Sequence, residues 1–328
     1  MANASRPVQK RIDPSKVPAR NGRSGRPGGQ PPRVVVKKAT FGDWVGGARL
    51  RTLPLAIAPV ALGTASAYLI SSPGWHWVRA LLALAVALCL QIGVNYANDY
   101  SDGVRGTDRY RVGPSRLTGS GAAKPRTVVV VALVFFGLAG IAGLILTVLT
   151  GYYWLLAVGA VCIAAAYFYT GGKRPYGYYG LGELFVFVFF GLVATAGTTF
   201  VQLGHVNLES WLCGVAVGFI ACAVLMVNNI RDLSQDKVAG KRTLAVLMGS
   251  LAARIVFAVL LLLPFVILIY FVLLYPNATY TYFALFLAVP AVLIGLTGKT
   301  PQELVLALQL TSFTALVYAI GLGWALAF

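Results

Sequence analysis

Apolar residues along this chain come in long blocks, at roughly 52–72, 77–99, 126–149, 152–169, 181–203, 209–231, 250–275, 279–296 and 302–326. Most blocks approach the ~20 residues an α-helix needs to cross the hydrocarbon of a bilayer, with 152–169 the shortest. Polar or glycine-containing stretches separate them. The pattern predicts an all-α polytopic membrane protein with nine transmembrane helices, since a helix satisfies every backbone polar group within itself.

Composition agrees with this pattern and narrows it. The chain has 328 residues, 58% hydrophobic and only 11% charged, which excludes an ordinary soluble domain. Residues 1–39 break the pattern: Arg, Lys, Pro and Gly dominate and almost no aromatic residue occurs, so this basic N-terminal tail is expected to be disordered. The membrane domain then occupies 40–328. Its first segment, Thr40 to Arg51, reads as an interfacial helix anchored by Phe41 and Trp44. Four cysteines lie inside apolar blocks without metal-ligand spacing and read as core residues.

The net charge is +17, and its placement sets an orientation. With the N-terminus in the cytoplasm and sides alternating, twenty-six of the twenty-seven Lys and Arg fall inside and only Arg79 falls outside. Part of this basic excess serves topology. The rest is expected to meet a polyanionic substrate or anionic lipid; nucleic acid is not an expected partner.

Two polar clusters interrupt the apolar pattern at matching places. Asn98, Asp99 and Asp102, followed by Asp108, close the second block, and Asn228, Asp232 and Asp236 close the sixth. Five of the ten acidic residues lie there. Carboxylates beside a bilayer are costly to keep and mark functional sites. Spacings of i, i+4 and i+8 put Asn228, Asp232 and Asp236 on one helix face, and Asn98 and Asp102 repeat the i, i+4 step. Such hard oxygen donors suit magnesium, which prefers carboxylate plus phosphate oxygens to an all-protein cage. Nearby cations complete a diphosphate site: Arg105, Arg111, Arg116 and Lys124, then Lys173 and Arg174, then Lys241 and Arg242, with Arg116, Lys173 and Arg242 the strongest candidates. Cytoplasmic loops 103–125 and 232–249 are long and charged, as functional loops are, so the working face is expected to be cytoplasmic. The two clusters also suggest an internal repeat of four spans each, with a ninth helix added. No phosphate-binding P-loop and no G-x-S-x-G motif occurs, which argues against nucleotide hydrolysis and serine-based acyl transfer.

These residues resemble the UbiA superfamily of intramembrane prenyltransferases. The marks are N-x-x-x-D…D after the second helix (Asn98, Asp102, Asp108) and D/N-x-x-x-D-x-x-x-D after the sixth (Asn228, Asp232, Asp236). The likeness covers about 45–326 and implies a fold of nine transmembrane helices around a central cavity, capped by cytoplasmic loops. Gly113–Gly121, Tyr169–Pro175, Gly180–Glu183 and Gly240–Val246 resemble the menaquinone branch in particular. That branch also has Asn where several others begin the second motif with Asp.

The resemblance implies a polyprenyl diphosphate donor and 1,4-dihydroxy-2-naphthoate as acceptor, with loss of CO₂ to give a demethylmenaquinol. It implies Mg²⁺, with Mn²⁺ as a substitute, held by Asn98, Asp102, Asp108, Asn228, Asp232 and Asp236. Asp102, Asp108, Asp232 and Asp236 would carry catalysis. Arg105, Arg116, Lys173, Arg174, Lys241 and Arg242 would bind the diphosphate, and Arg49, Arg51, Tyr169 and Glu183 are candidates for the acceptor. The expected location is the cell membrane, in contact with its lipids. Two alternatives stand beside this reading: the same fold with a phenolic or other acceptor, or an Asp-lined transporter, although a transporter would place its acids at mid-span.

Overall fold

The computed structural model describes residues 38–71, 76–108 and 116–328. The basic tail to residue 37, and Arg111 with the start of the Gly113–Gly121 motif, lie outside the described residues. Everything described belongs to one unit, Val36–Phe328. It is helical throughout, with no strand among the described residues.

In chain order the helices are α1 (Phe41–Gly47), α2 (Pro54–Ile70), α3 (Trp77–Arg105), α4 (Pro125–Thr150), α5 (Leu155–Phe168), α6 (Gly182–Val186), α7 (Ala194–Leu203), α8 (Leu208–Val238), α9 (Leu244–Met248), α10 (Ser250–Leu274), α11 (Leu285–Thr297) and α12 (Pro301–Ala327). A π-helical turn, Phe187–Val193, joins α6 to α7. Local sequence explains several ends. Proline opens α2, α4 and α12, where no intrahelical N–H is needed. Thr300 and Glu303 form a capping box on α12, and Thr40 and Asp43 form another on α1.

Every apolar block of the sequence falls on helix, but the blocks are not equal as membrane spans. Among the described residues, seven helical stretches are long and apolar enough to cross a bilayer. A pair bent by 45°, Phe41–Thr52 with Pro54–Ile70, makes an eighth candidate. The expected ninth corresponds to α5, which has only 14 residues. At 1.5 Å per residue that is about 21 Å, short of the ~30 Å hydrocarbon. The protein is a multi-pass membrane protein.

The main core lies where α8 meets α2, α10 and α12, around Ile220, Phe257, Leu261, Leu268 and Tyr318. Small residues allow the closest approach. A Cβ on Gly191 of the π turn would stand 2.6 Å from both Gly214 O and Gly218 Cα of α8, so the backbones touch there. In α8, 72% of the most apolar stretch is buried, against 11% in α3. α8 is thus a central pillar, while α3 is held mainly by α4 and by its own polar end.

Candidate active site

The second and sixth sequence blocks end in helices longer than a bilayer requires. α3 has 29 residues and α8 has 31. Both clusters therefore stand on continuous helix, in the last turns, and only Asp108 lies beyond. Gly106, with φ 74°, ends α3 in the left-handed conformation that glycine adopts without strain. Asp108 is nevertheless buried.

One arginine ties the first cluster together. Arg116 Nη1 donates to Asp102 Oδ2 at 2.7 Å and to the backbone O of Asn98 at 3.0 Å. The same nitrogen lies 3.3 Å from Asp108 Oδ2. Asp99 holds the loop that delivers this arginine: its two carboxylate oxygens accept from Leu117 N (2.9 Å) and Thr118 N (2.8 Å). The loop can lie that close only because two side chains are missing. A Cβ on Gly103 would stand 2.4 Å from Thr118, and one on Gly119 would stand 2.7 Å from Asp108. Burial alone would lower the Arg116 pKa, but the charges of Asp102, Asp108 and Asp99 outweigh it and raise the guanidinium above its ordinary value.

Asp102 has two further partners, both from far along the chain. Lys241 Nζ lies 3.1 Å from Oδ1, and Tyr178 donates its hydroxyl to the same oxygen at 2.5 Å. Lys241 also stands 4.7 Å from the centre of the Tyr178 ring, and Arg105 stands 5.4 Å from it. Burial, with the Asp102 charge second, raises the Tyr178 pKa, so the phenol stays protonated and donates. Asn98 Oδ1 accepts from Thr170 Oγ1 at 2.6 Å, which ties the Tyr169-Thr-Gly-Gly motif to α3.

The second cluster contains a cation of its own. Arg231 grips Asp232 with two nitrogens, Nε to Oδ1 at 2.7 Å and Nη2 to Oδ2 at 2.6 Å, and donates to Asn228 Oδ1 at 2.8 Å. Asn229 turns the other way and donates to Glu183 Oε1 at 2.9 Å.

Both clusters open onto one cavity of about 610 Å³. Asn98, Asp102, Asn228, Asp232 and Asp236 line one part of it together with Arg116 and Lys241. Most of the rest is walled by apolar side chains, among them those of α2, α3, α4, α5 and α7, reaching Val60, Leu146 and Val201. Arg49 and Tyr169 also line it. Arg49 is the one non-glycine residue with positive φ among those described, at 55°.

The expected residues thus divide. Asn98, Asp102, Asn228, Asp232, Asp236, Arg116, Lys241, Arg49 and Tyr169 share the cavity. Asp108 joins the site through Arg116. Glu183 stands behind Asn229 and does not line the cavity. Arg105 is exposed and donates to Gly172 O. Lys173, Arg174 and Arg242 are exposed and Arg51 is half-buried; none of these four lines the cavity. Sequence reasoning missed Arg231, Tyr178 and the anchoring role of Asp99. Arg231 carried a signal, a charge inside a block that ends in acids; Tyr178 and the loop contacts of Asp99 carried none.

Among the described residues no three His, Cys, Asp or Glu side chains gather to enclose a metal ion. The donors are carboxylate and amide oxygens on two facing helix ends, without histidine or cysteine. Such an open oxygen set fits a hard divalent cation that takes its other ligands from a phosphate-bearing substrate.

Known proteins match this arrangement. The model of the "UbiA prenyltransferase family" matches residues 56–313. The chain is 48% identical over 290 residues to a 1,4-dihydroxy-2-naphthoate octaprenyltransferase of Mycobacterium tuberculosis, covering 88% of this chain and 98% of that one. In fold it resembles a UbiA homolog from Aeropyrum pernix, with TM-score 0.63 at 17% identity over 83% of this chain and 96% of that one. It also resembles a UbiA homolog from Archaeoglobus fulgidus bound to GPP and Mg²⁺, with TM-score 0.54 at 16% identity over 85% and 99%. Paired Asn/Asp helix ends over an apolar cavity, a family model spanning most of the helices and a near-full-length relative all agree: this chain belongs to the UbiA prenyltransferase family.

Proposed function

We propose that this protein transfers a polyprenyl chain from a polyprenyl diphosphate to 1,4-dihydroxy-2-naphthoate, with loss of CO₂, in menaquinone biosynthesis. The observation that carries the reading is the single cavity with a charged part and an apolar remainder. A polyprenyl diphosphate has the same two parts. The named relatives supply the acceptor.

The residues divide the work. Arg116 and Lys241 stand at the charged part, already tied to Asp102, and bind the departing diphosphate. Asn98, Asp102, Asp108, Asn228, Asp232 and Asp236 would hold Mg²⁺, with Mn²⁺ able to replace it. When bound, such an ion neutralises charge that develops on the leaving group. The allylic C–O bond breaks and its electron pair leaves with the diphosphate. The ring carbon bearing the carboxylate attacks the allylic carbon; the C–C bond to the carboxylate then breaks, CO₂ departs and its electron pair restores the ring. Apolar walls keep water from the allylic carbon. Arg49 meets the acid's carboxylate, and Tyr169 packs beside the ring.

We place the N-terminus and the charged face in the cytoplasm, from the lysine and arginine bias. The chain crosses the cell membrane nine times, with α5 as the short crossing. Membrane lipids surround the helices, and the isoprenoid tail follows the apolar part of the cavity. The test is purified protein with Mg²⁺, a labelled polyprenyl diphosphate and a panel of aromatic acids, measuring product mass and CO₂ together. One CO₂ per prenylated naphthalenediol is expected. A product that keeps its carboxylate, or a preference for 4-hydroxybenzoate, would overturn the choice of acceptor.

A further inference from the structure

The α3 face that ends in Asn98 and Asp102 continues inward through Asn95 and Gln91. Gln91 lies seven residues before Asn98, two turns or about 10 Å along the helix. Both inner side chains hold the turn that carries Arg49. Asn95 Nδ2 donates to Ala48 O at 2.9 Å, and Gln91 Nε2 donates to Thr52 O at 2.5 Å. These bonds bracket Arg49, whose left-handed backbone (φ 55°) is a conformation that surroundings must impose on a side-chain-bearing residue. Arg49, Thr52, Gln91 and Asn95 all line the cavity.

Gln91 is only half satisfied. Its amide nitrogen is committed to Thr52, which fixes the amide orientation and leaves Oε1 as an acceptor. That oxygen has no hydrogen-bond partner among the described residues, although the side chain is 95% buried, its relative exposure being 5%. An unmatched buried acceptor disfavours the empty site and rewards a donor brought by a ligand.

We propose that Gln91 is a specificity-determining residue for the acceptor: its Oε1 accepts a hydrogen bond from a ring hydroxyl of the aromatic acid, while Arg49, fixed by the same side chain, faces the carboxylate. The inference rests on the reading of this chain as a prenyltransferase for a hydroxylated naphthoic acid, and adds the residue that reads the hydroxyl. A site built around a substrate hydroxyl discriminates strongly against analogues lacking it, because its own polar group is then stranded.

The experiment is a cycle between residue and substrate. Inhibition constants against 1,4-dihydroxy-2-naphthoate turnover are measured for 1-hydroxy-2-naphthoate, 4-hydroxy-2-naphthoate and 2-naphthoate. The proteins are the wild type, Gln91→Leu and Gln91→Glu. In the wild type, loss of the recognised hydroxyl weakens binding about tenfold. In Gln91→Leu that ratio collapses toward one, and in Gln91→Glu, which keeps an acceptor oxygen but not the Thr52 bond, it persists. The KM for polyprenyl diphosphate stays within about twofold of wild type in both. A role confined to holding the Arg49 turn would weaken every analogue equally and leave the ratio intact in Gln91→Leu, which would overturn the proposal. If Gln91→Leu does not insert and fold, the nearly isosteric Gln91→Met, which also lacks the acceptor oxygen, takes its place, and an intact ratio there overturns the proposal. A wild-type protein that turns over no naphthoic acid would instead strike the functional reading on which this rests.

Discussion

The two acidic clusters share a sequence spacing but not a charge environment. On α3, Asp102 is met by Arg116, Lys241 and Tyr178, which lie 14, 139 and 76 residues further along the chain. On α8, Asp232 is met by Arg231, its immediate neighbour. The first cluster is thus assembled by tertiary contacts and joins loops from both halves of the chain. The second carries its counter-charge with it. Two similar motifs can present similar oxygens to a ligand while differing in what must fold first. The α3 site depends on loop closure, whereas the Asp232–Arg231 pair forms between neighbours on the central helix.

Removing either carboxylate tests what the clusters share. Asp102→Ala and Asp232→Ala should each lower kcat by at least ~10²–10³-fold, in line with loss of one group that stabilises transition-state charge. Steady-state kinetics on purified, folded variants checks this. Near-normal turnover in either would remove that cluster from the site.

Charge-conserving changes then separate them. Arg231→Lys keeps the charge but cannot grip Asp232 with two nitrogens, so it should cost roughly 1.5–3 kcal/mol of stability, that of a hydrogen bond to a charged group. Arg116→Lys should act chiefly on the donor, raising the KM for polyprenyl diphosphate about tenfold or more. Thermal unfolding and donor titration of both variants measure the contrast, and equal effects on both readouts would erase it.

Asp99→Asn probes the loop dependence. Its amide has one acceptor oxygen for the two N–H groups of Leu117 and Thr118, so about 1 kcal/mol of anchoring is lost. Arg116 should then be less well placed, with donor KM raised several-fold and acceptor KM unchanged. A change confined to the acceptor would contradict the loop assignment.

Tyr178→Phe keeps the ring beneath Lys241 and Arg105 and removes only the hydroxyl on Asp102. A loss of about three- to tenfold in kcat/KM is expected, the size of one hydrogen bond. Smaller still is the effect expected from deleting residues 1–37, which should leave kcat within about twofold in reconstituted protein. A larger loss would give the basic tail a part in catalysis.

Much of this was legible in the chain itself. Long apolar blocks dictate helices because a membrane permits no unpaired backbone, and the i, i+4, i+8 spacing puts oxygens on one helix face whatever the fold around it. The family likeness was readable in the same two motifs. Single cations were read less well. Lys173 and Arg242 look like Arg116 in sequence, yet they end at the surface while the Arg116 side chain, 10% exposed, is packed among three acids. A lysine or arginine in a loop can reach several ångströms in any direction, and only the path of the backbone decides where it arrives. The same holds for Asp99, spent on two loop N–H groups, and for Glu183, placed behind Asn229. Sequence by itself determined the helices, the oxygen faces and the family, because these follow from local periodicity and spacing. Tertiary structure alone decided which cations meet Asp102 and that Gln91 bears an unmatched oxygen, because those depend on contacts between residues distant in the chain.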